Sequence, residues 1–247
     1  MQIMVLGATG NCGLRLTKQA LKRGFEVTAY VRNEDKLRSQ LKGFPDERLA
    51  IIEGTLEDNR QLVNAMSGHD AIINASGNAN NQDKYTDLGA KVITAAAEAL
   101  GDGGRFWLFG GVALLDVPGT QISTLDLPKI PKLFEVHRIN MNCVSKTSLD
   151  WSMMCPGPMI ASKDSKPHLG LRVSIDKWPV SRPLLTYLLP EVFLTLAFKR
   201  KMRELTITYE DAAKVILDNL YVDGEFSRKR VGVALPLGVY LSKDYTP

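Results

Sequence analysis

The chain has 247 residues, of which 45% are hydrophobic and 23% are charged, a balance that excludes a disordered chain and is typical of a globular protein. The net charge of +4, from 31 basic and 27 acidic residues, is too small to indicate a nucleic-acid-binding protein. The densest basic run, residues 199–203, is interpreted as the solvated face of a helix. Nucleic acid is therefore not expected as a partner.

The cysteines and the amino terminus indicate a cytoplasmic protein. Cys12, Cys143 and Cys155 are far apart and form no CxxC pair, so they are interpreted as reduced thiols and not as disulfides or a zinc site. No metal site is predicted. Residues 1–6 lack the basic start of a signal peptide and lead directly into glycines, which indicates a first strand. The apolar run 183–198 is interrupted and is shorter than the ~20 residues that a membrane span needs, so no integral membrane segment is expected.

Short apolar runs alternate with helical patterns along most of the chain, which is typical of a parallel sheet with helices on both faces. Strands are predicted over residues 3–6, 26–31, 49–52, 70–75, 105–109, 151–155 and 230–234. Helices are predicted from residue 14 to a cap at Gly24 and over 56–66, 85–100, 133–147 and 210–219. The prediction is an α/β fold, a doubly wound parallel sheet, in one domain that spans residues 1–247.

The regular alternation stops after Gly157. Residues 158–205 are rich in proline and show no clear sequence of strand and helix. We interpret this variable segment as a lid or substrate pocket, with an interfacial helix or a dimer surface as the alternatives. The oligomeric state is left open between monomer and homodimer.

Three glycines between the first strand and the first helix indicate a dinucleotide-binding loop of the Rossmann type. Gly7 permits a tight turn, Gly10 lets the backbone approach a pyrophosphate, and Gly13 allows close packing of helix on strand. A positive φ is a further expected reason for a glycine at position 10. Because this triplet follows the first strand and opens a βαβ unit, its context supports the prediction.

The residue after the second strand favours NADPH over NADH. NAD-preferring sites usually place an acidic residue here, ~20 positions beyond the loop, to bind the ribose 2′-hydroxyl. This chain has Arg32 instead, followed by Asn33. A guanidinium would form charge-assisted hydrogen bonds to a 2′-phosphate. The predicted cofactor is NADP(H), with a solvated surface arginine as the alternative interpretation of Arg32.

Several further stretches give the sequence a family resemblance. It resembles the NmrA-like, biliverdin-IXβ-reductase-like branch of the atypical short-chain dehydrogenase/reductase superfamily, which also contains small NAD(P)H–flavin reductases. The resemblance covers residues 1–157 and returns at 205–235. The matching stretches are residues 7–13, 31–33, 54–58, 70–77, 148–157 and 207–213.

The resemblance implies a set of cofactor contacts at the carboxyl ends of the strands, where ligands of such sheets bind. The implied contacts are Thr9, Asn11 and Cys12 with Gly7, Gly10 and Gly13 in the phosphate loop, Arg32 at the 2′-phosphate, Leu56 beside the adenine, Ala75, Ser76 and Gly77 toward the nicotinamide, and Pro156 and Gly157 at the nicotinamide end.

The sequence departs from most catalytic members in the helix before strand six. Their Tyr-x-x-x-Lys pair is missing from residues 136–143, and the serine usual after strand five is missing from 110–114. His137 is the catalytic candidate nearest that place, with a structural histidine as the alternative. The sequence therefore predicts an NADPH-dependent reductase of a flat conjugated small molecule, such as a flavin, quinone or tetrapyrrole, that takes its proton from solvent. The alternative is a non-catalytic NADPH sensor that acts through a protein partner.

Overall fold

A computed structural model of the chain describes residues 1–44, 47–77, 82–183 and 191–241, which form one large sheet and one small one. The strands are β1 (Gln2–Leu6), β2 (Glu26–Val31), β3 (Leu49–Glu53), β4 (Ala71–Asn74), β5 (Arg105–Phe109), β6 (Asp150–Cys155), β7 (Met159–Ile160), β8 (Arg172–Ile175), β9 (Ile207–Thr208) and β10 (Lys229–Ala234). The large sheet has the order β3-β2-β1-β4-β5-β6-β10-β8, and β7 pairs with β9. All neighbours in the large sheet are parallel except β8, which is antiparallel to β10.

Helices cover both faces of the large sheet, which confirms the predicted Rossmann-type α/β fold. They are α1 (Asn11–Lys22), α2 (Glu34–Gln40), α3 (Asn59–Met66), α4 (Gln82–Leu100), α5 (Glu135–Val144), α6 (Glu191–Leu205) and α7 (Tyr209–Leu217). One hydrophobic core lies beneath α1, α2 and α7, and the other beneath α3, α4, α5 and α6. None of the helices described is both long enough and apolar enough to cross a membrane.

The first strand shows why the sheet is buried on both faces. Ile3 and Val5 belong to the core beneath α1, whereas Met4 and Leu6 belong to the core on the opposite face. Successive side chains of a strand point to opposite faces, so a strand covered on both sides must be apolar at every position. The four residues are fully buried, as this requirement predicts.

The structure corrects several predicted helix boundaries. The helix predicted over 56–66 begins at Asn59, because the Asp58 side chain accepts from the Gln61 amide at 2.9 Å and caps it. The helix predicted over 133–147 is α5, which a single 3₁₀ turn over Lys132–Phe134 precedes. The helix α2 was not predicted, although Asn33 caps it by accepting from the Lys36 amide at 2.7 Å.

Part of the variable segment 158–205 belongs to the sheet and the core. Residues 172–175 form the antiparallel edge strand β8, which the sequence analysis missed. Trp178 is buried, donates from Nε1 to Thr124 Oγ1 at 2.6 Å and packs against the ring of Phe198. Trp178 is therefore a core residue.

A buried ion pair ties together the amino-terminal ends of β5 and β6. Arg105 is 1% exposed and Asp150 is 4% exposed. Arg105 donates to the backbone oxygens of Asp150 (3.0 Å) and Asn219 (2.8 Å), and the Asp150 carboxylate also accepts from the Asp223 amide at 2.9 Å. Burial lowers the pKa of Arg105 to about 10, and the nearby Asp150 carboxylate offsets this only in part.

Loss of the Asp150 carboxylate should destabilise the fold strongly. Asp150→Ala leaves the Arg105 guanidinium buried without its counter-ion, which we expect to lower the free energy of unfolding by about 3–5 kcal/mol. The control is Asp218→Ala, which removes partly exposed ion pairs with Arg23 and Lys214 and should cost about 1 kcal/mol or less. Urea denaturation of both variants measures the difference, and equal losses would contradict this account of the Arg105–Asp150 pair.

Candidate functional site

Two of the three glycines in the loop after β1 are required by the packing of the chain on itself. Gly7 has φ +75°, and a Cβ atom there would lie 2.8 Å from the backbone of Ser76. A Cβ atom on Gly13 would lie 2.2 Å from the carbonyl oxygen of Gly7. No side chain fits at either position, so β1, the start of α1 and the end of β4 are in close contact.

The third glycine of the loop is not required in this way. Gly10 has φ −83° and ψ 170°, which is extended backbone, so the expected positive φ is wrong for this residue and applies to Gly7 instead. Gly10 is exposed, and a Cβ atom there would approach only the Gly7 oxygen, at 3.2 Å. A side chain at Gly10 would therefore need a shift of only a few tenths of an ångström, far less than one at Gly7 or Gly13.

The amino terminus of α1 has no side-chain cap. Gly10 is its N-cap residue, and its first turn contains no acidic residue. By contrast, Asn33, Asp58 and Thr208 cap α2, α3 and α7 through their side chains. The first amides of a helix carry a positive partial charge and need acceptors. The residues present therefore fit a bound anion at this end of α1, where a diphosphate would accept hydrogen bonds.

The predicted loop residues Thr9, Asn11 and Cys12 lie at this end of α1. The Asn11 side chain donates from Nδ2 to the Tyr209 hydroxyl at 3.3 Å, and the Thr9 carbonyl oxygen accepts from the side chain of Gln40, also at 3.3 Å. The Cys12 thiol is turned into the protein, 3.7 Å from the sulfur of Met159, and burial raises its pKa to about 12. Cys12 can therefore contribute a backbone amide, but not a thiolate, to a ligand at the loop.

Two buried carboxylates at the start of α7 hold part of the variable segment beside α1. Glu210 accepts from Arg15 Nε at 3.1 Å and from the Ser162 amide at 2.9 Å. Asp211 accepts from the His168 amide at 2.7 Å and lies 3.0 Å from Nδ1 of the same histidine. This contact joins residues 43 positions apart, so it leaves no local signal in the sequence.

Arg32 is exposed and directly follows β2, which is hydrogen-bonded to both β1 and β3. Its side chain forms no hydrogen bond or ion pair with any residue that the structure describes. The following residue, Asn33, is fixed as the cap of α2. Arg32 therefore lies at the carboxyl end of the strand next to β1, and its exposed side chain is available to an anionic ligand.

Leu56 follows β3 in a turn that Tyr30 holds in place. The Tyr30 hydroxyl donates to the Thr55 carbonyl oxygen at 3.0 Å. A Cβ atom on Gly54 would lie 2.3 Å from that hydroxyl, so only glycine allows this approach. Leu56 is half-buried, with apolar surface packed against the core. It lies one strand further from β1 than Arg32 does.

The residues predicted to lead toward the nicotinamide lie at the end of β4, against the glycine loop. Ala75 and Ser76 are half-buried and Gly77 is exposed. The Ser76 amide donates to the side chain of Asn74 at 3.1 Å, which fixes this turn. The glycine loop and the end of β4 thus form one continuous surface.

The ends of β5 and β6 place Pro156 and Gly157 beside the turn at Gly111. The amide of Val112 donates to the Pro156 carbonyl oxygen at 2.8 Å. A Cβ atom on Gly157 would lie 2.3 Å from the carbonyl oxygen of Leu205, so the two ends of the variable segment meet here. A Cβ atom on Gly111 would lie 3.0 Å from the ring of His137. The structure thus brings His137 to the turn after β5, a contact that the sequence analysis missed.

His137 is a buried, neutral imidazole. It is 8% exposed, and burial lowers its pKa to about 4. Its ring stacks on that of Phe134, with the centroids 6.4 Å apart. At neutral pH this ring can donate an N–H hydrogen bond, but it carries almost no imidazolium that could act as a proton reservoir. Within the described ranges, no group of three or more His, Cys, Asp or Glu residues could hold a metal ion.

Comparison with known proteins gives a family and relatives. A family described as NAD(P)H-binding matches residues 7–182. The uncharacterized protein YwnB of Bacillus subtilis is 30% identical over 163 residues, which cover 63% of this chain and 71% of that protein. The isoflavone reductase homolog IRL of Zea mays is 30% identical over 125 residues, which cover 49% of this chain but only 38% of the maize protein.

Solved structures share the fold at lower identity. A short-chain dehydrogenase/reductase from Veillonella parvula, in complex with NADP, superposes with a TM-score of 0.68 at 16% identity and with 99% of each chain covered. A protein from Streptococcus pneumoniae that was proposed to be an NADH-flavin reductase has a TM-score of 0.70 at 23% identity, with 95% of this chain and 99% of that chain covered. The chain belongs to the NAD(P)H-binding family, which confirms the resemblance to the atypical short-chain dehydrogenase/reductases.

Proposed function

We propose that the protein is an NADPH-dependent reductase whose acceptor is a flat conjugated small molecule, such as a flavin, quinone or tetrapyrrole. The observation that carries this proposal is the uncapped start of α1, with Gly10 open to solvent at its first turn. A loop that is closed by packing at Gly7 and Gly13 but exposed at Gly10 would let a diphosphate approach helix amides that have no side-chain cap.

In this proposal the 2′-phosphate of the cofactor binds Arg32. An exposed guanidinium without a partner in the described part of the chain gains charge-assisted hydrogen bonds when a phosphate arrives, and it loses no existing ion pair. The NADP bound in the related fold from Veillonella parvula supports the choice of cofactor. Leu56 would contact the adenine with its apolar side chain.

The nicotinamide would lie between the end of β4, at Ala75–Gly77, and the end of β6, at Pro156–Gly157. We further propose that the chain is one domain and that the described parts of the variable segment, residues 158–183 and 191–205, cover the acceptor at this end; residues 184–190 lie outside the described residues. The Pro158 carbonyl oxygen accepts from the Ile207 amide at 3.0 Å. The start of the segment is therefore hydrogen-bonded to the residues that follow its end, beside the proposed nicotinamide site. The free thiols Cys12, Cys143 and Cys155 agree with a cytoplasmic protein.

NADPH supplies a hydride when bound. The chain would hold the acceptor against the cofactor in the orientation that hydride transfer needs and would prevent other orientations of the acceptor. His137 would donate a neutral N–H hydrogen bond to the electron-rich atom of the acceptor, the role that a neutral histidine can fill as an electrophile. Because its pKa is about 4, the proton that the product gains would come from solvent. Flavins, quinones and tetrapyrroles accept protons from water, and the name of the Streptococcus pneumoniae relative supports this acceptor class.

A non-catalytic NADPH sensor is the second function. The observation that favours it is the absence of a tyrosine acid from α5, where the protein has a buried, neutral histidine instead. In that case NADPH would bind at the same loop and alter the affinity for a protein partner, and by linkage the partner would alter the affinity for NADPH equally.

Steady-state oxidation of NADPH with a panel of flavins, quinones and biliverdins tests the reductase directly. We expect turnover with at least one acceptor, and kcat should vary less than about threefold between pH 6 and 8, because His137 does not titrate there. His137→Phe should lower kcat roughly tenfold through loss of one hydrogen bond. Tight NADPH binding without turnover of any acceptor would reject the reductase in favour of the sensor.

Gly10→Val should abolish dinucleotide binding while the fold survives. Valine tolerates the extended backbone of Gly10, but its branches would fill the space proposed for the diphosphate. We expect the NADPH affinity to fall at least about a hundredfold, or nearly 3 kcal/mol, in a titration of tryptophan fluorescence. Circular dichroism checks folding.

The matched control for that variant is Gly224→Val. Gly224 also lacks a positive φ and is exposed, and a Cβ atom there meets only the Tyr221 oxygen, at 3.4 Å. This variant should bind NADPH like the wild type. A folded Gly10→Val protein with wild-type affinity would disprove the proposed phosphate site.

Arg32→Glu should reverse the choice of cofactor. The carboxylate would repel the 2′-phosphate and remove its hydrogen bonds, which should weaken NADPH binding by about 2 kcal/mol or more. NADH binding should hold or improve, because a carboxylate accepts from the ribose hydroxyls. The control Lys146→Glu makes the same charge change at an exposed site beyond the end of α5. Equal losses for both cofactors would show that Arg32 does not discriminate between them.

A further inference from the structure

The outer face of α6 combines apolar and cationic side chains. Phe193 is 42% exposed and Leu196 is 46% exposed, although both are large hydrophobic residues. Lys199, Arg200 and Arg203 are exposed one to two turns further along the helix. At 100° per residue these five side chains fall within about a third of the helix circumference, so they form one stripe, which we call the outer face of α6.

The opposite face of α6 is anchored in the protein. Leu194, Phe198 and Leu205 are buried in the core beneath α3, α4, α5 and α6. The Thr195 hydroxyl donates to the Pro128 carbonyl oxygen at 2.9 Å. Phe198 stacks on Trp178 with the ring centroids 5.2 Å apart. These contacts hold α6 in one orientation, in which Phe193 and Leu196 face away from the core.

No acidic side chain balances the cations of the outer face between residues 193 and 205. The only acid in that stretch of sequence, Glu204, is turned toward the protein, where it accepts from Arg172 at 2.9 Å and from Lys201 at 2.6 Å. The adjoining loop beneath Thr195 adds exposed Lys129 and Lys132, and its exposed acid, Asp126, is paired with Arg138 at 2.7 Å. The surface around α6 is thus cationic and partly apolar.

We propose that the outer face of α6 docks the protein reversibly on an anionic membrane surface. Large apolar side chains enter the boundary between headgroups and acyl chains, while lysine and arginine remain at the level of the lipid phosphates. Phe193 and Leu196 are the apolar residues that would enter this boundary. The cations at the level of the phosphates would be Lys199, Arg200 and Arg203. The helix lies in the interface and does not span it.

A second copy of the chain fits this face less well. A symmetric dimer would pair the stripe with itself and would bring two sets of arginine and lysine together without an acidic partner. Anionic lipid headgroups neutralise those charges and leave room for the apolar residues. The sign of the charge therefore favours a lipid surface over self-association.

Cosedimentation of the full chain with lipid vesicles, without NADPH, tests this proposal separately from the reductase. We expect binding to phosphatidylcholine vesicles that contain phosphatidylglycerol, little binding to pure phosphatidylcholine, and loss of binding as salt rises. Phe193→Ser/Leu196→Ser and Lys199→Gln/Arg200→Gln/Arg203→Gln should each reduce the partition coefficient at least about tenfold. Circular dichroism and NADPH binding of these variants check that the fold persists.

Matched controls make the same changes elsewhere on the surface. Leu169→Ser/Leu237→Ser removes two leucines that are even more exposed, and Lys42→Gln/Arg60→Gln/Lys146→Gln removes three exposed charges. Both controls should bind vesicles within about twofold of wild type. The proposal would be overturned if the wild-type protein did not bind anionic vesicles at low salt, or if the controls lost as much binding as the α6 variants. A dimer in light scattering that Phe193→Ser/Leu196→Ser dissociates would overturn it in favour of a second copy.

Discussion

The carbonyl oxygen of Gly7 is the point on which the proposed site depends. It accepts from the Gly10 amide at 2.9 Å, and it lies only 2.2 Å from the place that a Cβ atom on Gly13 would occupy. The first turn of α1 is therefore pressed against the end of β1, and no side chain caps its amides. A side chain at Gly7 would push the loop away from the end of β4, and a side chain at Gly13 would push α1 away from the end of β1.

The rest of the site follows from this close approach. Since the loop is closed by its own packing at Gly7 and Gly13, the exposed Gly10 and the uncapped amides of α1 are left for a ligand. The parallel strands bring Arg32, Leu56 and the ends of β4 and β6 to the same edge of the sheet. The other end of the edge is apolar and holds a neutral His137, so the chain is better suited to orient a conjugated acceptor than to supply protons.

The features that could be predicted from the sequence are those with a local physical cause. The six inner strands are nearly continuous apolar runs because both faces are covered. The spacing of the glycines is local too, because packing excludes a side chain at Gly7 and Gly13 and a diphosphate would approach the backbone at Gly10. The antiparallel strand β8 could not be predicted, because its pairing with β10 joins residues far apart in the chain. The same holds for the contacts of His168 with Asp211 and of His137 with Gly111. The helix α2 had a local signal, the capping Asn33 followed by acidic residues, that was not used.

A crystal structure of the protein with NADPH would test whether the start of α1 binds the diphosphate of the cofactor. The account predicts the diphosphate on the amides at the start of α1 over Gly10, the 2′-phosphate within hydrogen-bonding distance of Arg32, and the nicotinamide beside Pro156 and Gly157. It also predicts little movement of Gly7 and Gly13, since their positions are set by packing within the chain. A cofactor bound with its diphosphate away from the start of α1, or absent from crystals grown at saturating NADPH, would contradict the account.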